Sequence, residues 1–305
     1  AQDKIKISDA DNSTATMYVA DRFYSPEFKV ISRVGLALGL MKNQYNDPTG
    51  KFLHVQTGLP PEYMTNFIDD IKDVFIGHHD FQVKFGANEW NAFSFDISEE
   101  NFGVMPQPMG TLISIATDSN GGALPNAKKY FSSNLLIVDP GFGTLDTFDI
   151  KNHFLDSPPK TWNNLGMLRV LQEMQNLIRQ EYHQNIPVPA MQKILGDGYF
   201  KTKIDKRTMQ QKLVDITDFL TKANNIVCAE AIETINGYYN YLQDVDYLVV
   251  TGGTGAAWFD MIKDFYKGLT SLTIINGTEN ENIPAIFANV RGYYMQQLNT
   301  LKKRK

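Results

Sequence analysis

The chain has 305 residues, 43% of them apolar and 21% charged, the composition of an ordinary globular protein of one large or two medium domains. Its net charge of −5 argues against a protein that grips nucleic acid directly. No apolar run approaches the roughly 20 residues that a membrane span needs. A single cysteine, Cys228, excludes an internal disulfide and suits a reducing cytoplasm; it is read as a packed helix residue rather than a nucleophile.

The polar first 25 residues show no signal-peptide pattern, and short strands are read at Lys4–Ser8 and Thr16–Ala20. Lys29–Met41 reads as a helix carrying Val30, Val34, Leu36, Leu38 and Leu40. Phe52–Gln56 is a buried strand by its apolar content. Pro61 suits a helix start, where its missing N–H would be unpaired in any residue. Met64, Phe67, Ile68, Ile71, Val74 and Phe75 then form a helical stripe. Two alternating runs, Phe81/Val83/Phe85 and Phe93/Phe95/Ile97, flank Gly86 as a β-hairpin. His78 and His79 precede it; adjacent strand residues point to opposite faces, which argues against a shared metal. Gln107 sits between Pro106 and Pro108, a helix follows over Met109–Thr117, and Ser119–Asn126 is a loop by composition.

Leu135–Val138 is a wholly apolar strand that runs into Asp139-Pro-Gly-Phe-Gly-Thr-Leu-Asp146. Gly141 and Gly143 allow a tight turn and close approach of backbone to an anion. Backbone N–H groups in such a turn cradle phosphate oxygens, and Thr144 adds a hydroxyl. Asp139 and Asp146 would repel phosphate, so hydrated Mg²⁺ or a polarised water is their expected partner. A glycine hairpin with two solvated acids is the plain alternative. Thr147–Ile150 continues as the second arm of a ribbon, Asp156–Pro159 is a turn, and Leu165–Ile178 is an amphipathic helix. Pro187–Gln211 begins a small peripheral subdomain. Leu213–Leu242 reads as one or two helices, with Leu213, Ile216, Leu220, Val227, Ile232 and Ile235 inward.

A second strand runs into glycines later: Leu248–Val250 leads to Thr251-Gly-Gly-Thr-Gly255 and a helix near Ala256. Trp258, Phe259, Met261, Ile262 and Phe265 mark its apolar side. A helix N-terminus opened by glycines attracts phosphate, whereas the Gly-x-Gly-x-x-Gly spacing of a dinucleotide site is absent. Leu269–Ile275 is a further strand, Pro284 starts the last helix, and Leu301–Lys305 is a basic tail read as solvated. Apolar strands, glycine turns and helices in alternation indicate an α/β fold.

These motifs resemble those of a known superfamily. Val138–Asp146 is similar to the second phosphate motif of the actin, heat-shock chaperone and sugar-kinase superfamily, and Val249–Thr254 to its adenosine motif. Within it the chain most resembles the bacterial plasmid-segregation actins of the ParM type. Val55–Pro60 followed by Tyr63 is similar to their strand end and helix start. Val104–Pro108 is similar to the segment with the water-positioning residue, and Asn289–Tyr293 to the final helix that closes over the base. The first phosphate loop is not matched. Around Asp9–Thr16, Asp11 stands for the expected glycine and Thr16 for the usual lysine, while Met17–Asp21 is similar to the strand before the first long helix. The usual opening hairpin is therefore read as missing from the chain as given.

The resemblance implies an actin-like ATPase fold, two ribonuclease-H-like domains around a nucleotide cleft. Domain I is expected over 1–133 plus 286–305 and domain II over 134–285, with a peripheral subdomain near 187–225. It implies ATP or GTP with Mg²⁺, Asp139 in the Mg²⁺ water shell and Asp146 in a weaker metal role. Gly141, Phe142, Gly143 and Thr144 would hold the β- and γ-phosphates. Gly252, Gly253 and Thr254 would face the α-phosphate and adenosine, Asn289 and Gly292 the base, and Gln107 would orient the attacking water. Lys222 and Glu230 lie in the region that contacts ribose in the family. Nucleotide-dependent self-assembly into filaments is implied, with a DNA-bound adaptor of the ParR type and a role in plasmid or phage DNA segregation in the bacterial cytoplasm. Direct contact with nucleic acid or membrane is not expected. Two other readings stay open: a sugar kinase-like phosphotransferase, for which no catalytic Asp beyond Asp139 stands out, and a non-catalytic actin-like scaffold, which the missing opening loop favours.

Overall fold

A computed structural model describes residues 20–41, 53–151, 154–155, 159–280 and 283–303. The strand read at Lys4–Ser8, the loop at Asp9–Thr16, nearly all of the strand at Thr16–Ala20, the 17–19 part of the segment before the first helix, and the 156–158 turn lie outside the described residues. The chain divides into two compact units, one of Ala1–Ile113, Thr117–Gly122 and Asn289–Lys305, the other of Ser114–Ala116 and Ala123–Ala288.

In the first unit α1 (Pro26–Met41) is followed by β1 (Val55–Leu59), α2 (Met64–Phe75), β2 (Gly77–Lys84), β3 (Trp90–Ile97), β4 (Phe102–Pro106) and α3 (Gln107–Ala116), whose last three residues, Ser114–Ala116, group with the second unit. Ser25 precedes α1, and its Oγ accepts the Phe28 N–H at 3.1 Å, satisfying one of the donors that a helix start leaves open. β1 and β4 pair in parallel, with Leu59 opposite Pro106. β2 and β3 form the expected hairpin, and its alternation holds: Val83, Phe93, Phe95 and Ile97 are buried together with Ala37 of α1. His79 is buried and His78 exposed, as a period of two demands. Ile71, Val74 and Phe75 of α2 pack with Phe23 and Leu59. The stripe on α1 is buried only in part: Val34, Leu36 and Leu40 are half-buried and Val30 and Leu38 exposed, while the buried residue of the helix is Ala37, outside the stripe. β1 starts at Val55, Phe52 of the expected strand lying outside the described residues, and α3 starts at Gln107 rather than Met109.

In the second unit α4 (Ala127–Ser132) leads to β5 (Leu135–Pro140), β6 (Thr144–Lys151), β7 (Phe154–Leu155) and β8 (Lys160–Asn163). Then come α5 (Met167–Tyr182), α6 (Val188–Asp197), β9 (Tyr199–Lys201), β10 (Leu213–Asp215), α7 (Thr217–Tyr238), β11 (Tyr247–Val250), α8 (Gly253–Phe265) and β12 (Thr273–Asn276). The sheet runs β12-β11-β5-β6-β7, with β8 also on β6. β12, β11 and β5 are parallel, and β6 turns back antiparallel. An unbroken apolar run suits a strand covered on both faces, and Leu135–Val138 are buried throughout. Leu136, Val138 and Leu248 join Leu171, Val227 and Trp258 in one core. Cys228 packs there as expected, its thiol pushed up to about 12 by burial.

Four expectations change here. β8 is an added strand: Lys-Thr-Trp-Asn has no alternation to announce it, and the ladder to β6 defines it. Leu213–Leu242 resolves into β10 and the single helix α7; in the β9–β10 ribbon Leu213 faces solvent while Val214 turns in, a parity that a helical reading reverses. Phe265, in the last turn of α8, is exposed. The strand read at Leu269–Ile275 shortens to Thr273–Asn276, because Leu269 and Leu272 close turns onto Tyr266 and Leu269.

The chain ends in α9 (Ala288–Lys303). From Asn289 onward it belongs to the first unit, where it crosses α3. The crossing is made by glycines: a Cβ on Gly110 would lie 2.9 Å from the Asn289 Cα, and one on Gly292 would lie 2.7 Å from the Gly110 Cα. Two helices approach this closely only where side chains are absent from the contact.

Candidate functional site

The parallel register sets Val138 beside Val250, so the two glycine-rich segments leave neighbouring strands at the same, C-terminal, edge of the sheet. That edge is where open α/β sheets hold ligands. Two hydrogen bonds tie the segments together: the Thr251 N–H donates to the Val138 carbonyl at 3.0 Å, and the Thr254 hydroxyl donates to the Gly141 carbonyl at 2.7 Å. Thr254 is buried, so its hydroxyl fastens one turn to the other. Gly252 has φ +78°, which L side chains rarely adopt, and a Cβ there would lie 2.9 Å from the Pro140 carbonyl and run into the Asp139 carboxylate. Only glycine lets α8 begin against Asp139, where an anionic side chain meets the positive end of the helix.

The first turn has a polarity of its own. The Gly141, Phe142 and Gly143 carbonyls accept the N–H groups of Met167, Leu168 and Asn164 at 3.1, 2.7 and 2.8 Å. A trans peptide directs its N–H opposite to its carbonyl, and no described peptide is cis. The N–H groups of Phe142 and Gly143 are therefore directed away from the start of α5, and that of Thr144 away from Asn164 in the loop before it. Successive N–H groups on one tight turn suit an anion. Gly166 makes room for that turn, since a Cβ there would stand 2.5 Å from the Gly141 carbonyl oxygen and 3.0 Å from that of Phe142. Motif reading passes over Gly166, whose one local signal is a glycine directly before an amphipathic helix.

Asp139 and Asp146 are cross-strand partners on β5 and β6, so both carboxylates lie on one face of the ribbon. Both are more than nine-tenths buried. Asp146 Oδ1 accepts the Thr161 hydroxyl at 2.6 Å and Oδ2 the Thr144 hydroxyl at 3.2 Å. The solvated-acid alternative therefore does not describe these two residues. Like charges set opposite each other repel, and a divalent cation relieves that repulsion. The donor set is all oxygen, which Mg²⁺ takes, usually through one or two carboxylates plus water and phosphate. Among the described residues no group of three or more His, Cys, Asp or Glu gathers to hold a metal without such additional ligands. Thr161 is a further contributor that the sequence conceals, because it stands on the unforeseen β8.

Gln107, Asn289 and Gly292 belong to the first unit. Gln107 is half-buried and opens α3 at the C-terminal end of the parallel pair, with Pro106 fixing the entry. The Asn289 side-chain oxygen accepts both the backbone N–H of Thr111 at 3.1 Å and its hydroxyl at 2.7 Å. Gly292 is buried against Gly110. The structure thus assembles Asp139, Gly141, Phe142, Gly143, Thr144, Asp146, Gly252, Gly253 and Thr254 at one sheet edge, and it binds Asn289 and Gly292 to α3. Of the two ribose-region residues, Lys222 is exposed, and Glu230 stands 3.5 Å from the Arg169 Nε.

Two compact units, the second built on a mixed sheet with paired glycine turns, are the architecture of an actin-like α/β fold. No protein-family model matches the chain, and no curated protein sequence does. Solved structures are similar to it over most of their length. A pCBH ParM non-polymerisable quadruple mutant is 18% identical with a TM-score of 0.67, over 92% of this chain and 76% of that one. The 15-stranded ParM filament from Clostridium botulinum gives 20% and 0.64, over 90% and 74%. Ta0583, an archaeal actin homologue, gives 16% and 0.61, over 92% and 78%. The fold is that of the ParM-type actins. Among the described residues, no helix is long and apolar enough to cross a membrane.

Proposed function

We propose that the chain is a nucleotide-hydrolysing, filament-forming actin homologue. The observation that carries this reading is the run of N–H groups at residues 142–144 joined to the α8 N-terminus and flanked by two buried carboxylates. A cradle of N–H groups suits a phosphate chain, and Gly252 and Gly253 bring a helix start to it. Asp139, supported by Asp146, would hold the water shell of Mg²⁺, which when bound neutralises charge on the phosphates. Thr144 and Thr161 keep Asp146 in place, and Thr254 fastens the two turns. Gln107 orients the attacking water, for which a neutral amide suits better than proton abstraction. Asn289 holds α9 on α3 on the side proposed to meet the base.

Nucleotide state then governs head-to-tail assembly, in which a contact that does not close on itself builds a filament. The solved neighbours include ParM in filament form and Ta0583 in a complex with ADP. A DNA-bound adaptor of the ParR type and DNA segregation complete the reading, the acidic chain itself leaving DNA to the adaptor. The test is sedimentation and phosphate release with ATP and with GTP in the presence of Mg²⁺. The chain is expected to pellet with nucleotide, and Asp139→Ala is expected to lose hydrolysis by roughly 3 kcal/mol of transition-state stabilisation or more. A strictly monomeric chain, or near-normal turnover in Asp139→Ala, refutes the reading.

A further inference from the structure

The peripheral ribbon of the second unit stands out in both shape and charge. β9 and β10 pair with Tyr199 opposite Asp215 and Lys201 opposite Leu213, and these four side chains are exposed while Phe200 faces the core. The connection between them holds its own form. Thr202 N–H donates to the Lys212 carbonyl at 2.9 Å, Asp205 N–H to the Gln210 carbonyl at 2.9 Å, and Met209 N–H to the Asp205 carbonyl at 2.7 Å. The Asp205 carboxylate accepts the Arg207 N–H at 2.7 Å, and the Gln211 amide donates to the Thr202 carbonyl at 2.8 Å. Yet this ordered projection displays Tyr199, Ile204, Met209 and Leu213 to solvent, Met209 at 75% exposure. Four exposed apolar side chains gathered on one hydrogen-bonded ribbon point to an interaction site.

Its charge selects the partner. Residues 199–215 hold Lys201, Lys203, Lys206, Arg207 and Lys212 against Asp205 and Asp215, a net of +3 in a chain of −5. Asp205 Oδ1 is held by the backbone N–H groups of its own loop. The opposite charge is concentrated in the first unit. Residues 62–100 hold nine acids against Lys72 and Lys84, a net of −7. Asp69 and Asp73 stand one turn apart and exposed on α2, Asp70 accepts the Tyr24 hydroxyl at 2.8 Å, and Lys72 ties the exposed Glu99 to the same surface at 3.1 Å. Tyr24 is 65% exposed beside them, so this surface too pairs charge with an aromatic.

We infer that the β9–β10 ribbon of one copy docks on the acidic α2 surface of a second copy. The two surfaces differ, so the contact is heterologous and each copy keeps one of each surface free for the next, which propagates a chain. This rests on the filament-forming reading and assigns the surfaces that make the contact. Complementary charge steers such an encounter, and like charge set against like costs several kcal/mol.

The test is charge exchange in the full chain, read by sedimentation with nucleotide and Mg²⁺ at low and high salt. Lys206→Glu with Arg207→Glu, and separately Asp69→Lys with Asp73→Lys, are each expected to raise the critical concentration about tenfold or more. Far-UV circular dichroism checks that both variants keep their fold. Mixing the two variants, or placing all four changes in one chain, restores opposite charges at every contact and is expected to recover assembly. Salt is expected to weaken the unmodified polymer. If the unmodified chain assembles and either reversal assembles equally well, the inference fails while the filament reading stands. Loss in both variants without recovery on mixing also overturns it. It fails as well if the ribbon reversal spares assembly but abolishes retention of the protein on anionic vesicles or on DNA. An unmodified chain that stays monomeric under all conditions overturns both.

Discussion

Gly292 offers the sharpest separation between a contact residue and a packing residue. Read as part of the final helix that closes over a base, Gly292→Ala would weaken nucleotide binding and leave stability alone. In the structure its missing side chain is what lets α9 cross α3. A Cβ at 292 would lie 2.7 Å from the Gly110 Cα and closer still to the Gly110 carbonyl, below the 3.0 Å that real Cβ contacts respect. The obstructing atoms are backbone, so no rotamer change relieves the clash and the helices must separate. That separation strains the bond pair between Thr111 and Asn289, one residue along from Gly110. Overpacking of a rigid contact costs about 3 kcal/mol, offset by about 1 kcal/mol from replacing glycine with alanine in a helix. The expected loss is therefore about 2 kcal/mol. Gly35→Ala is the control: it lies inside α1 with nothing within 4 Å of its Cβ position, and is expected to gain about 0.5–1 kcal/mol. Urea unfolding followed by circular dichroism measures both. Wild-type stability in Gly292→Ala together with weakened nucleotide binding would refute the packing account.

Two further outcomes concern Gln107 and His79. Gln107→Ala is expected to slow phosphate release about 10²-fold while keeping ATP binding and assembly, checked by phosphate release and light scattering in one sample; unchanged release would make Gln107 only the first residue of a helix. His79 is expected to lower stability in mild acid. Its Nε2 donates to the Phe75 carbonyl at 2.7 Å, and its Nδ1 is buried without a hydrogen-bond partner. Burial holds its pKa below the usual 6.5, opposed by the Phe75 bond and reinforced by Arg33 and Lys29 on α1 and by His78. The unfolded chain takes up this proton near pH 6.5 and the folded chain resists it, so stability is full above that pH and falls as pH drops toward the depressed value. Unfolding midpoints across this range should fall less in His79→Gln than in the unmodified chain, and equal slopes would contradict the assignment.

Elements with a local signal are legible in the amino-acid order. Leu135–Val138 and Leu248–Val250 announce buried strands because four or three consecutive apolar residues with a glycine two or three positions beyond have few other uses. The alternation at 81–85 and 93–97 establishes a hairpin and which face is buried, down to the opposed fates of His78 and His79. The glycines after both strands mark two tight turns, and their order along the chain marks the fold. Less is legible where the signal is not local. Leu213 lies one residue from a parity switch, and β8 has no pattern of its own.

The direction of the polar groups belongs to the tertiary structure. Thr254 and Gly141 are 113 residues apart, and the hydroxyl of one caps the carbonyl of the other only because β5 and β11 pair in register. Asp139 and Asp146 read as two separate acids until the β5–β6 ladder sets them opposite each other. Thr161 and Gly166, which hold that pair and that turn, are ordinary residues in the sequence. Gly292 reads as a glycine near a ligand and is a glycine between two helices. Periodicity records whether a side chain is buried. It does not record which chain-distant backbone lies against it, and at this site that distant backbone sets the direction of the hydroxyls, carboxylates and peptide N–H groups.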